Sequence, residues 1–239
     1  ILLIWIIGIT NAVNLIDGID GLASSFVLIG LGSLIGSIST FPSGLSPILP
    51  LIIAGAVSGF LRYNWTPAQV FLGDSGSMTL GFLLAVLAVL STTNTQGVTY
   101  PLLAVFALAF PITDTCIAIA RRWVRGVPLS VADGRHIHHQ LRAAGLSVSQ
   151  VVTSLSLVFG LITVVSLTIA SAPPQHSLAL LIGGTTVSCM VIVYGIKWLN
   201  YDEFSELGAS LTSVLKNTRQ ILRVTVHTND AITQIQQSD

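Results

Sequence analysis

Asn11 to Ser39 reads NAVNLIDGIDGLASSFVLIGLGSLIGSIS. The first part gathers Asn11, Asn14, Asp17 and Asp20, and the second, from Leu22 onward, carries no charged side chain. Such an uncharged run approaches the roughly 20 apolar residues a helix needs to cross a bilayer. Working outward, Pro47 to Leu61, Phe71 to Leu90, Val98 to Ala120, Val151 to Ala170 and Leu178 to Leu199 repeat the pattern, and Ile1 to Ile9 reads as the end of another span. Backbone amides in hydrocarbon must be satisfied within the segment, which makes each run a helix. The expected fold is all-α, a polytopic helical membrane protein with about seven spans in this sequence.

Composition points the same way. Charged residues make up 8% of the chain and hydrophobic ones 52%, with mean hydropathy +0.82; soluble domains carry roughly 25% charge. The ten basic and ten acidic residues cancel, so no basic surface argues for nucleic acid. Cys116 and Cys189 fall inside predicted spans, where isolated thiols behave as small hydrophobes. Pro47 to Leu61 is short for about 30 Å of hydrocarbon and needs local thinning or a buried position. The sequence opens inside a hydrophobic run, with no initiating Met and no signal-peptide n-region, so it is read as N-terminally truncated.

Alternating the spans places residues 40–46, 91–97 and 171–177 on one side, and none of these contains Lys, Arg, Asp or Glu. The basic residues, among them Arg62, Arg121, Arg122, Arg125, Arg135, Arg142 and Lys197, fall on the other side, which the positive-inside rule makes cytoplasmic. Residues 1–199 are then the membrane-embedded domain and 200–239 a cytoplasmic tail. In that tail Phe204, Leu207, Leu211, Val214 and Leu215 recur at the spacing of one short amphipathic helix. The long loop Arg121 to Gln150 is expected to carry a functional surface. Asp17, Asp20, Asp74 and Asp114 adjoin apolar spans, and a carboxylate at a helix centre costs on the order of 2.5–3.5 kcal/mol on insertion scales. They therefore need cations, hydrogen bonds or water.

The clusters that could carry chemistry lie on the charged side. Asn11, Asn14, Asp17, Gly18 and Gly21 are three or four apart and would share a helix stripe, with Asp20 off it. A break near Gly18 would turn Asp20 back toward the same pocket; the plain alternative is a polar loop of Asp-Gly turns. In FLGDSGS, Phe71 to Ser77, the Asp74 carboxylate is a hard oxygen ligand suited to Mg²⁺, or else it caps a helix beginning at Ser75 or Gly76. GRHIHHQL, Gly134 to Leu141, sets His136 and His139 on one helical face and His138 elsewhere. Zinc lacks its third and fourth soft ligands there. Binding of a diphosphate by Arg135 and the imidazoles fits better, the alternative being arginines that only anchor the topology. Asp114, in PITDT, is either a polar contact between helices or a support of the site.

Taken in order, NAVNLIDGIDGLA, YNWTPAQVFLGDSGS, PITDT and GRHIHHQL closely resemble the polyprenyl-phosphate N-acetylhexosamine-1-phosphate transferases, from Asn11 to about Leu146. The resemblance implies a multi-pass enzyme of a bacterial-type inner membrane. Such an enzyme moves a sugar 1-phosphate from a UDP-sugar to a polyprenyl phosphate lipid on the cytoplasmic face, releasing UMP. It also implies Mg²⁺, with Mn²⁺ as a substitute, held by Asp74, and Phe71 stacked on the uracil ring. By the same resemblance Asn14, Asp17, Asp20 and Asn64 shape the nucleotide pocket, while Arg135, His136, His138 and His139 hold the diphosphate and sugar; Asn11 is expected among the substrate-binding residues. Asp17, Asp20, Asp74 and His138 are expected as the catalytic set, and a homodimer stays open as a partner arrangement. Family members also carry a paired-aspartate motif on an earlier loop; no such pair occurs here, so this stretch alone is expected to be inactive. The form GRHIHHQL resembles the UDP-N-acetylglucosamine group more than the muramyl-pentapeptide group. A cation- or proton-coupled transporter is the competing class, but it predicts mid-span acids and charges on both faces.

Overall fold

The computed structural model describes residues 2–40, 45–92, 108–125 and 136–171, with single helical positions at 182–184, 186–187, 190 and 194. The tail 200–239, Cys189 and Arg135 lie outside the described residues. Among those described, all regular structure is helical: α1 Leu2–Ile16, α2 Leu22–Thr40, α3 Ile48–Asn64, α4 Gly73–Thr92, α5 Ala109–Arg125, α6 Ile137–Ala143 and α7 Val148–Ala170. Three are long and apolar enough to cross a membrane, over Leu22–Ser39, Gly73–Ser91 and Val148–Thr168. Helices α1 and α3 are apolar but shorter. The molecule is a helical membrane protein.

Apolar side chains face outward as well as inward, as a lipid solvent allows. Leu2, Leu3, Ile4 and Ile7 on α1, Ile48 and Ile52 on α3, and Leu157, Leu161 and Val164 on α7 are all exposed. The buried core falls into two parts. Ile9, Val13, Val27, Leu31, Leu34, Val57, Leu84 and Leu87 tie α1 to α2, α3 and α4. Ile16, Leu22, Phe26, Leu141, Val151 and Leu155 join the end of α1 and the start of α2 to α6 and α7.

The tightest crossing, α1 on α4, fixes the site. A Cβ on Gly81 would lie 2.9 Å from Thr10 Cα and 3.1 Å from its carbonyl oxygen, so the two backbones touch there. Glycine is required at that approach because no side chain fits. Nearer the other end, Trp5 Nε1 donates to the Ala85 carbonyl at 3.2 Å, sealing the pair.

Helix α1 carries the run Ile1 to Ile9 on to Ile16, so Asn11 and Asn14 are helical as the stripe has them, while Asp17, Gly18 and Gly21 fall in the turn beyond; Ala12, Val13 and Ile16 continue its buried face. Helix α5 passes Ala120 and takes in Arg121 and Arg122 before ending at Arg125. Arg121 is buried despite its charge, so hydropathy places the end of this helix too early.

Candidate active site

At the end of α1 the chain turns over Asp17 to Gly21 before α2 begins. Asp17 N–H donates to the Asn14 carbonyl at 3.1 Å and Leu22 N–H to Ile19 at 3.2 Å, closing two successive turns. The left-handed residue is Gly21, φ +76°, and a side chain there would be strained. Gly18 is small for a different reason: a Cβ on it would stand 2.5 Å from His138 Nε2. The first motif and the histidine motif, far apart in sequence, thus meet at this turn.

Asn14 and Asp74 also meet. Asn14 Nδ2 donates to Asp74 Oδ1 at 3.0 Å and to Ser77 Oγ at 2.8 Å, while Ser77 Oγ donates to the Gly73 carbonyl at 3.0 Å. Helix α4 starts at Gly73, φ +64°, so Asp74 sits within its first turn instead of capping a later start. The cap reading is corrected: the carboxylate accepts from a neighbouring helix and stays exposed. Asp17 is near enough for the two charges to repel. Partial burial first, and Asp74 second, push the Asp17 carboxyl up to about 6.

Two carboxylates that resist joint ionisation, with amide and hydroxyl oxygens beside them, are a hard donor set. They fit a cation that takes one or two carboxylates and completes its shell from phosphate and water. Among the described residues no group of three or more His, Cys, Asp or Glu forms a metal site, so a closed protein cage is not what this set provides.

Asp20 and Asn64 hold the loop between α3 and α4. Asp20 Oδ2 accepts from Ala68 N–H at 3.0 Å, so the turn aims it at that loop. Buried Asn64 accepts from Gly21 N–H at 3.2 Å and Ser24 Oγ at 2.9 Å, and donates to the Val70 carbonyl at 2.9 Å. Beside this pinned loop Phe71 is 71% exposed, a bare aromatic face three residues before Asp74. Asn11 is not drawn in: it donates to the Ile7 carbonyl of its own helix at 2.7 Å.

The histidines are arranged otherwise than one helical face. His136 is the extended N-cap residue of α6, φ −60° and ψ 156°, and only Ile137 onward is helical. Its ring lies parallel to His138 with centroids 5.8 Å apart, and His138 contacts exposed His139 at 4.2 Å. His138 is fully buried, with neither ring nitrogen hydrogen-bonded. Burial, then the charge of His139, lowers it to about 4. The sequence placed His138 off the shared face; the structure makes it the middle of the stack, packed on Gly18. Buried Asp114 proves to be the loop's anchor, taking His136 Nδ1 at 2.7 Å and Ile137 N–H at 2.9 Å.

The profile of glycosyl transferase family 4 matches residues 1–92. A probable undecaprenyl-phosphate N-acetylglucosaminyl 1-phosphate transferase of Bacillus subtilis (strain 168) is 37% identical over 169 residues, 71% of this chain and 47% of that protein. A decaprenyl-phosphate N-acetylglucosaminephosphotransferase of Mycobacterium leprae is 29% identical over 209 residues, 78% of this chain and 52% of that one. A phospho-N-acetylmuramoyl-pentapeptide-transferase of Streptococcus thermophilus is 37% identical over 153 residues, 61% of this chain and 43% of its own length. The chain spans about half the length of the curated relatives it matches. With the profile running from α1 to the end of α4, and similarity running on through the chain, the protein belongs to glycosyl transferase family 4.

Proposed function

We propose that the full-length protein transfers an N-acetylhexosamine 1-phosphate, GlcNAc-1-phosphate by preference, from a UDP-sugar to a polyprenyl phosphate, starting a cell-envelope glycan. The reaction would run at the cytoplasmic face of a bacterial inner membrane, a side that the one-sided basic residues support. An oxygen of the lipid phosphate forms a new bond to the sugar-bearing phosphorus while the bond from that phosphorus to UMP breaks. The observation that carries this reading is the convergence of Asn14, Asp17, Asp74 and Ser77 at one end of the α1–α4 pair.

Asp74 and Asp17 are the residues that would hold Mg²⁺, or Mn²⁺. Bound there, the cation supplies neutralisation of charge on the diphosphate, the main requirement of phosphoryl transfer. Asn14 orients the Asp74 carboxylate by its hydrogen bond. Phe71 offers its exposed ring to uracil. Asp20 and Asn64 act one step back, fixing the loop that presents Phe71. His136, His139 and Arg135 are the residues assigned to the sugar and diphosphate, and His138 sets the distance between the histidine loop and the Gly18 turn.

Relatives named for GlcNAc transfer share more of this chain than the one named for the muramyl pentapeptide, which favours the GlcNAc donor. The test is a donor comparison with full-length protein in vesicles holding polyprenyl phosphate. Labelled lipid and UMP should form from UDP-GlcNAc; product from the UDP-muramyl pentapeptide alone would move the protein to the other group, and solute flux without product would make it a transporter.

A further inference from the structure

The histidine loop is held by a residue to which the proposed reaction assigns nothing. Asp114 lies on α5 and is 1% exposed, yet both its oxygens are matched: Oδ1 accepts from Ile137 N–H at 2.9 Å and Oδ2 lies 2.7 Å from His136 Nδ1. The two bonds do different things. The first satisfies the leading backbone N–H of α6, whose N-cap residue makes no side-chain cap bond of its own. The second fixes a proton. A carboxylate only accepts, so the shared hydrogen belongs to Nδ1, and a neutral His136 ring then keeps its lone pair on Nε2. Among the described residues Nε2 has no hydrogen-bond partner. The ring orientation is passed on, because His136 stacks within 4° of parallel on His138 and His138 contacts His139.

We propose that Asp114 is a positioning residue of the transfer: it anchors the histidine loop on α5 and locks His136 in the Nδ1–H tautomer, so that Nε2 is offered to substrate as an acceptor. The group that recognises such an acceptor is a hydroxyl or amide N–H, both of which an N-acetylated sugar carries. A phosphate oxygen is itself an acceptor and does not pair with it. The role in transfer rests on the function proposed above; the anchoring and the tautomer do not.

The test uses the full-length protein. Asp114→Asn can still accept from Ile137 N–H, but its amide donates to Nδ1 and pushes the proton to Nε2. Nitrogen NMR of isotope-labelled histidine should show His136 as Nδ1–H in the parent protein and Nε2–H in the variant. With the melting temperature retained, kcat/KM for the UDP-sugar should fall at least about tenfold. His136→Asn, which keeps a donor in the place of Nδ1 and deletes Nε2, should preserve the fold and lose as much. An Nε2–H or doubly protonated His136 ring in the parent protein, or full activity in His136→Asn, would overturn the proposal. Absence of transfer by the parent protein would instead sink the proposed function, and the NMR comparison would still decide the anchoring.

Discussion

Phe71 and His138 show how much a single side chain can carry here. Phe71 is large, apolar and exposed three residues before Asp74, and stacking of a base on such a ring is worth about 1–3 kcal/mol by alanine substitution. Phe71→Ala in the full-length protein should therefore weaken UDP binding about 5- to 150-fold by calorimetry. Unchanged affinity would place the base elsewhere. His138 makes a prediction about pH. Its folded value is lowered to about 4 from 6.5 by burial and by His139, so between those values the unfolded chain binds the proton more readily. Its contribution to stability is complete above pH 6.5 and is lost as pH falls toward 4. At 1.36 kcal/mol per unit that is at most about 3 kcal/mol. Thermal melts of detergent-solubilised protein should fall across this window, and His138→Gln should flatten the dependence. A parallel curve in the variant would mean that carboxylates dominate. The sequence shows which residue types gather on the charged side, but not their division of labour. Asn14 and Asp74 look like equal members of separate motifs, and only the crossing of two helices makes one the donor to the other. Nothing local to GRHIHHQL marks His138 as the most deeply buried of its histidines, since that depends on Gly18.

Helices α1 and α4 bring the first two motifs together, and Gly81 against Thr10 sets their distance. Gly81→Val would force side-chain volume onto backbone and should cost about 1–3 kcal/mol of stability. Because Asn14 and Asp74 lie near the same end of this crossing, transfer should drop with it. A variant as stable as the parent would show that the helices are not in close contact. The spans α2, α4 and α7 were legible as apolar runs, and α3 as a shorter one. The end of α5 was not, and past Ile9 α1 was legible only as the polar stripe of Asn11 and Asn14. Hydropathy reports where side chains prefer lipid, whereas α1 persists because Ala12, Val13 and Ile16 are buried by neighbouring helices. The Asp20 latch on Ala68 is likewise invisible locally, because its acceptor and donor lie 48 positions apart.

At the scale of the molecule, one surface must hold every motif for the proposed transfer to run. Single cysteines at Ser130 and at Ser43, in a background lacking Cys116 and Cys189, should label from opposite sides of the membrane, following the uncharged and basic loops. Labelling of both from outside would separate the basic loops from the cytoplasm. The helical membrane class follows from composition alone, and the resemblance of the motifs supplies a chemistry that composition cannot. The distances then say which motif residues touch. The central claim, that Asp74 beside Asn14 and Asp17 runs phosphoryl transfer with a divalent cation, is tested most directly by UMP release from UDP-GlcNAc. The comparison is between the full-length protein and its Asp74→Asn form across a Mg²⁺ titration in polyprenyl phosphate vesicles. The account predicts Mg²⁺-dependent release in the parent and a loss of at least about a hundredfold, or 2.7 kcal/mol, in the variant at every Mg²⁺ concentration. Near-parental release by Asp74→Asn with the Mg²⁺ requirement intact would contradict it.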